Sequence, residues 1–288
     1  MPADLCLLDG ALVPLAEASI PPLDRGYLFG DAVYEAVKLR SGAPLFLDAH
    51  LERLGRSLSA MRIPQPPGIA VTLERLLAAH AGVDGSLYLQ VTRGCDARRS
   101  HRPSLRPVPA WFAMVTPIAF AAAPWKLPGL RAISVLDRRW GRCDIKTTAL
   151  AASVLAKLEM VDAGADEVLF RAADGTLREG GNTNLFVRDG DGWHTHPAGP
   201  EILSGVTRAI VGELARAAGF ELAERAPRLD RRAGWREALV CGTTTGVRGL
   251  VELDGEPIGD GRVGDATRAL ARALDRRERE AVATGVAR

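Results

Sequence analysis

The chain has 288 residues, 47% hydrophobic and 25% charged, with a formal net charge of +2. That composition can bury a sizeable core, and so small a charge excludes nucleic acid or a membrane surface as the main partner. Cys6, Cys95, Cys143 and Cys241 lie far apart with no Cys-x-x-Cys pair, so neither zinc nor a disulfide framework is expected, and reduced thiols point to the cytoplasm. No run approaches the roughly 18 apolar residues of a membrane span, and no signal peptide is expected. From the N-terminus, two short apolar runs flank Asp9-Gly10, a hairpin signal. A loop with charges and aromatics follows, from Pro21 to Asp31, and then a strand from Val33 to Leu39 that turns at Ser41-Gly42. Asp48 is expected to cap a helix whose core face is Leu51, Leu54, Leu58 and Met61, with His50 and Arg53 sharing a face. A second helix is expected over about 71–81, and Leu87, Leu89 and Val91 alternate as in a strand.

Residues 94–109 form a long loop with three prolines and arginines at 98, 99, 102 and 106. Loops of that length in compact domains are functional or disordered, so this one reads either as a solvated basic loop or as an anion-binding lid. A strand over 111–119 leads into a Pro- and Gly-bearing stretch, and Leu130 to Leu136 is a further strand. Lys146 follows, with Arg139, Trp140 and Arg142 upstream. A reactive lysine must reach a carbonyl as a neutral amine, which cationic and aromatic surroundings favour. A helix is expected just after it, marked by Leu150, Val154, Leu155, Leu158 and Val161. His194 and His196 share one side of a strand, but no third ligand is near and no metal site is expected. Gly205 before a helix, and the loop Gly242-Thr243-Thr244-Thr245-Gly246, are places where backbone amides and hydroxyls can meet a phosphate. The strand-rich order without regular alternation favours two α+β lobes: a small domain over 1–121, a linker over 122–130 and a larger domain over 131–288. No Gly-x-Gly-x-x-Gly follows a strand, so no dinucleotide site is expected.

Taken together, from Leu23-Asp24-Arg25-Gly26 to Asp254-Gly255-Glu256-Pro257-Ile258-Gly259, these stretches resemble the class IV aminotransferases, the pyridoxal-phosphate enzymes of fold type IV, and within them the D-amino acid group. The resemblance implies a two-lobed α+β fold, a homodimer, and an amino donor and a 2-oxo acid acceptor as substrates. It makes Lys146 the Schiff-base lysine and Glu179 the carboxylate facing the pyridine nitrogen. Arg53, Val206, Thr207 and Thr243 become phosphate ligands, and Leu203 packs against the ring. Tyr34 matches the tyrosine that helps hold the substrate carboxylate. The Arg-x-His pair that completes this trap from the partner subunit is matched by Arg99-Ser100-His101, with Arg98 as the alternative arginine because the spacing from Arg93-Gly94 is one residue long. Departures from the pattern fall at Thr148-Ala149, Gly181 to Asn184 and Gly242. On the same fold, an aminodeoxychorismate lyase type, an (R)-amine transaminase and a branched-chain transaminase are the alternatives. A non-enzymatic binding module is disfavoured because Lys146, Glu179 and Arg53 are all present.

Overall fold

The computed structural model describes residues 4–190 and 192–284. Two compact units divide the chain. One takes in the described residues up to Phe120, the short segment Ile145–Leu150 and the chain from Glu280. The other takes in Ala121–Asp144 and Ala151–Arg279.

In chain order the first unit has β1 (Leu5–Leu8), β2 (Ala11–Pro14), α1 (Arg25–Phe29), β3 (Ala32–Arg40), β4 (Ala43–Pro44), α2 (Leu47–Met61), α3 (Ile69–Ala79), β5 (Gly85–Thr92) and β6 (Ala110–Pro117). The strands form one antiparallel sheet in the order β2-β1-β6-β5-β3-β4. Two of its hairpins turn on residue pairs with positive φ at both positions, Asp9-Gly10 (48° and 85°) and Ser41-Gly42 (49° and 80°). That backbone matches the twist of the flanking strands, and the glycine adopts it without a Cβ penalty. Alternation then sorts the strand residues. Val33, Val37, Leu87, Leu89 and Val91 turn inward to meet Leu54 and Leu58 of α2 and Leu73 and Leu76 of α3. Asp48 does not cap α2: the cap is Phe46 at φ 56°, no side chain bonds the first turn there, and Asp48 lies inside the helix.

The second unit continues with β7 (Leu130–Leu136), α4 (Ala151–Asp162), β8 (Glu167–Arg171), β9 (Leu177–Gly180), β10 (Asn184–Asp189), β11 (Gly192–Thr195), α5 (Val206–Ala217), β12 (Glu221–Glu224), β13 (Trp235–Gly242), β14 (Gly246–Leu253), β15 (Glu256–Pro257) and α6 (Asp265–Ala283). Its sheet runs β12-β11-β10-β13-β14-β7-β8-β9, with β15 beside β14. A further pairing of β9 with β10, at Glu179 and Asn184, closes six of these strands into a ring. Leu169, Leu185, Val187, Val240 and Leu250 fill one core of this unit. Phe186, Trp193, Val211, Leu239 and Leu270 fill another, against α5 and α6. Helix α4 differs from the others. Of its apolar residues, Val154, Leu155, Leu158 and Val161 stay 55, 62, 53 and 65% exposed, so the helical spacing correctly marks one face, but within this chain that face covers no core. No described helix is long and apolar enough to cross a membrane.

Candidate active site

In the first unit, the segment that carries Lys146 runs alongside β3. The Tyr34 N–H donates to the Lys146 carbonyl at 2.9 Å, the Thr148 N–H donates to the Ala32 carbonyl at 3.2 Å, and Val33 and Thr147 form an isolated bridge. Ile145 packs into the core beside them. This register sets the Lys146 side chain next to Tyr34, with Nζ 4.3 Å from the ring centroid. The ring stacks in turn on Tyr88 at 5.5 Å. The Lys146 N–H donates to Ser57 Oγ at 3.2 Å, which ties the segment to α2.

One residue along β3, on the inward face, Glu35 is fully buried. A carboxylate in that position needs partners, since an unpaired buried charge is strongly disfavoured. It has two. Arg53 donates from Nε to Oε1 at 2.7 Å and from Nη2 to Oε2 at 2.8 Å, and His50 Nδ1 lies 2.8 Å from Oε2. The (i, i+3) spacing on α2 makes this possible by setting both side chains over one stretch of strand. Burial pushes the Glu35 carboxyl up, but the Arg53 and His50 hydrogen bonds outweigh it and hold it down at about 2. Burial pushes His50 below its ordinary 6.5, against the pull of Glu35. Arg53 is therefore fixed along one edge of its guanidinium.

In the loop, Arg99 and His101 share one platform: the Phe29 ring lies 5.2 Å from the Arg99 guanidinium carbon and 5.3 Å from the His101 ring. Arg98 is exposed and makes no hydrogen bond or ion pair among the described residues. Neither arginine, nor His101, is hydrogen-bonded, ion-paired or ring-stacked with Tyr34 or Lys146 in this chain.

In the second unit, Glu179 is the last residue but one of β9, where the ring of strands closes. Its Oε1 accepts from Arg139 Nη1 at 2.6 Å, and its Oε2 accepts from the Leu203 N–H at 3.0 Å and from Asn184 Nδ2 at 3.1 Å. Three converging donors make this the environment of an ionised carboxylate. Arg139 is itself held by Asp137 at 2.9 and 3.0 Å and lies 4.0 Å over the Phe170 ring. Asp137 feels burial first, which raises its carboxyl, yet its bonds to Arg139 and Arg178 bring it below the usual range. The cationic groups upstream of Lys146 thus have other work: Arg139 serves Glu179, and Arg142 pairs with Asp144 at 2.8 Å. The aromatic group beside Lys146 is Tyr34 rather than Trp140, which is exposed.

Asn184 is the hub of this half. It pairs across the sheet with Glu179 on one side and Cys241 on the other, and its amide also donates to the Leu203 carbonyl at 2.9 Å. Its Oδ1 lies where a Cβ on residue 205 would fall, 2.1 Å away, so only glycine fits at that helix start. Gly205 then caps α5 with no side-chain acceptor, so the first-turn amides of Val206 and Thr207 receive no side-chain cap and suit an anion. Thr243 begins the turn between β13 and β14, and its hydroxyl has no partner among the described residues. His194 pairs with Asp189, and His196 Nδ1 lies 2.9 Å from the Pro197 carbonyl. Among the described residues, no three His, Cys, Asp or Glu side chains gather as a metal site would require.

The sequence sets Arg139 among the surroundings of Lys146 and Asn184 in a departure from the family pattern, but it marks neither as a partner of Glu179, and it does not mark Glu35 as the partner of Arg53. Glu35 had a signal: alternation along β3 puts it on the core face between Val33 and Val37. Asn184 had none, because its role arises from strand pairing.

The family profile described as Amino-transferase class IV matches residues 32–253. The D-alanine aminotransferase of Bacillus licheniformis is 34% identical over 271 residues, covering 93% of this chain and 95% of that protein. The D-alanine aminotransferase of Staphylococcus aureus (strain N315) is 32% identical, covering 91% and 94%. Among solved structures, the branched-chain amino acid aminotransferase of Escherichia coli superposes with a TM-score of 0.86 at 20% identity, over 96% of this chain and 95% of that one. That of Thermobaculum terrenum, in its PLP-bound holo-form, gives 0.83 at 22% identity, over 96% and 94%.

Proposed function

We propose that this chain, which belongs to the class IV aminotransferases, moves an amino group between a D-amino acid and a 2-oxo acid in two half-reactions, with pyridoxal phosphate as its resident cofactor. The observation that carries the reading is Lys146 held over Tyr34, its main chain bonded to β3 and α2. The donor set fits the cofactor: an amine for its carbonyl, a carboxylate with three N–H donors for its pyridine nitrogen, and an uncapped helix start with a guanidinium for its phosphate. Bound there, it supplies a ring able to take up the electron pair left when a substrate loses its α-proton.

The chain's own residues do the rest. Lys146 Nζ removes the proton from the substrate α-carbon and returns one, as general base and then general acid. Glu179 would hold the proton on the pyridine nitrogen, with Arg139, Asn184 and the Leu203 N–H donating to its carboxylate. Arg53, the Val206 and Thr207 amides and the Thr243 hydroxyl would hold the cofactor's phosphate, and Leu203 would pack against its ring. Tyr34, with the loop's arginine and histidine, holds the substrate carboxylate. Glu179→Gln is expected to lower kcat about 10²-fold, the scale of losing one preorganised electrostatic contact, with KM nearly unchanged in steady-state assays.

The substrate class is tested by mixing the purified, cofactor-loaded protein with D-alanine, L-leucine or (R)-1-phenylethylamine and following its visible absorbance. D-Alanine is expected to react fastest. If L-leucine is faster, the D-amino acid reading is wrong; if the amine is faster, carboxylate recognition is wrong.

The working unit is a homodimer in this reading. In support, Val154, Leu155, Leu158 and Val161 leave an apolar face of α4 open to water, as an interface does before its partner arrives. Sedimentation velocity is expected to show a dimer that Leu155→Glu combined with Leu158→Glu converts to a monomer. A monomeric wild-type protein would remove the proposal.

A further inference from the structure

We propose that Arg25 and Phe29, on α1, are positioning residues that prefabricate the carboxylate-binding pair of the loop, and that this pair is Arg99 with His101 rather than Arg98 with His101. The inference rests on the reading of that loop as a carboxylate lid.

The two residues are four apart on a single turn of helix, so both side chains leave α1 on one side. The turn is fixed by Asp24, whose carboxylate accepts from the Gly26 N–H at 2.8 Å, the Tyr27 N–H at 3.3 Å and the Thr92 hydroxyl at 2.7 Å. Arg25 is 5% exposed. Its Nε donates to Asp31 at 2.9 Å, and its Nη1 to Asp96 at 2.8 Å and to the Ser100 carbonyl at 2.7 Å. Its Nη2 reaches the His101 carbonyl at 3.4 Å. The main-chain N–H of Arg25 donates to the Gly94 carbonyl at 2.9 Å. One residue therefore holds the loop at its foot, at Asp96 and at two successive carbonyls. Those carbonyls belong to the peptides on either side of the His101 α-carbon, so clamping them orients the main chain from which His101 projects, two residues beyond Arg99.

The side chains are gathered on Phe29. Its ring centroid lies 4.9 Å from the Arg25 guanidinium carbon and 5.2 Å from that of Arg99, and the His101 ring meets it edge-on at 67°. Cation–π and edge contacts of this kind are directional, so they select among side-chain rotamers. Asp31 has a second partner: Arg93 also binds it at 2.7 and 3.0 Å and reaches the Met61 carbonyl at 2.7 Å, which braces the clamp against the end of α2. The lid is thus organised before substrate arrives, and a preorganised receptor loses less freedom on binding.

The test compares Arg99→Ala, Arg98→Ala, Phe29→Leu and Arg25→Lys as holoenzymes, reading kcat and KM for D-alanine, the cofactor absorbance and the melting temperature. Arg99→Ala is expected to raise KM, and Arg98→Ala to leave it unchanged. Phe29→Leu is expected to raise KM about 3- to 10-fold, the scale of one cation–π contact. Arg25→Lys keeps the charge but loses the fork, and its KM is expected to rise at least as much. In both, kcat and cofactor absorbance stay near wild type. If neither loop arginine affects KM, the lid reading itself fails. If Arg99→Ala raises KM while Phe29→Leu does not, or if Phe29→Leu lowers kcat and melting temperature with KM unchanged, the positioning role is overturned. Phe29→Leu decides the matter even if Arg25→Lys fails to fold.

Discussion

Lys146→Ala is expected to abolish the visible absorbance of the cofactor-loaded protein and to lower turnover by at least about 10²–10⁴-fold, the contribution of a positioned acid–base group. The fold should survive. The contacts that register this segment, from the Tyr34 N–H to the Lys146 carbonyl and from the Lys146 N–H to Ser57, are main-chain bonds that alanine retains. The side chain itself lies over the Tyr34 ring. Melting temperature should therefore stay close to wild type while activity disappears. Lys146→Arg sharpens the test. An arginine can stand over the same ring, but it stays protonated at any working pH and cannot take a proton from carbon. Retained turnover in either variant, measured with D-alanine and a 2-oxo acid, would falsify the assignment of the chemistry to Lys146.

The second large effect is expected in stability. Glu35→Gln removes the charge that compensates Arg53 in a fully buried setting, and breaking one side of a buried ion pair costs about 3–5 kcal/mol. Urea unfolding should show that loss, and cofactor retention should weaken with it, since Arg53 would no longer be held along its Nε edge. The pH dependence follows from the direction of the shift. Glu35 is depressed from 4.5 to about 2 in the folded chain. Below about 4.5 the unfolded chain takes up a proton that the folded chain refuses, so the stabilisation is complete above about 4.5 and is lost as pH falls toward about 2. A shift of that size corresponds to roughly 3 kcal/mol. The gap between wild type and Glu35→Gln should be steady at neutral pH and close on acidification. His50 adds a loss in the same direction, beginning near its ordinary 6.5, because burial keeps it neutral in the folded state. A gap that stays constant down to pH 3 would count against the clamp.

Residue patterns made much of the fold legible. Asp9-Gly10, Ser41-Gly42 and Asp254-Gly255 each turn a hairpin with two positive φ angles, and such dipeptides announce the turn before any tertiary contact is known. The alternation in β5 and the helical spacing in α2 likewise reached the core as read. Periodicity says which residues share a face and is silent on what covers it. Hence Val154, Leu155, Leu158 and Val161 marked a helix and one face of it, and in this chain that face is open to water. Asp48 has the chemistry of a cap, but the chain enters α2 through a left-handed Phe46, a backbone event without a composition signal. In the candidate site, Lys146 and Tyr34 were singled out by motif and lie side by side. Asn184 was read only as a departure from the family pattern, because its position beside Glu179 depends on the closure of β9 against β10; the Arg25 clamp was passed over because its partners Ser100 and His101 contribute carbonyls, which every residue has.

The segment Ile145–Leu150 belongs to the unit whose strands were all laid down before residue 121. A ribosome releasing this chain from its N-terminus therefore finishes β1 to β6 while Lys146 is still unmade. The strip beside β3 stays open until the later segment is translated, so the first unit cannot be completed from its own contiguous stretch of sequence. Contacts so distant along the chain carry a loop-closure cost that slows folding. The Lys146 amine thus reaches its place late, and a nascent or truncated chain ending at Phe120 carries Tyr34 without the lysine whose amine lies over its ring.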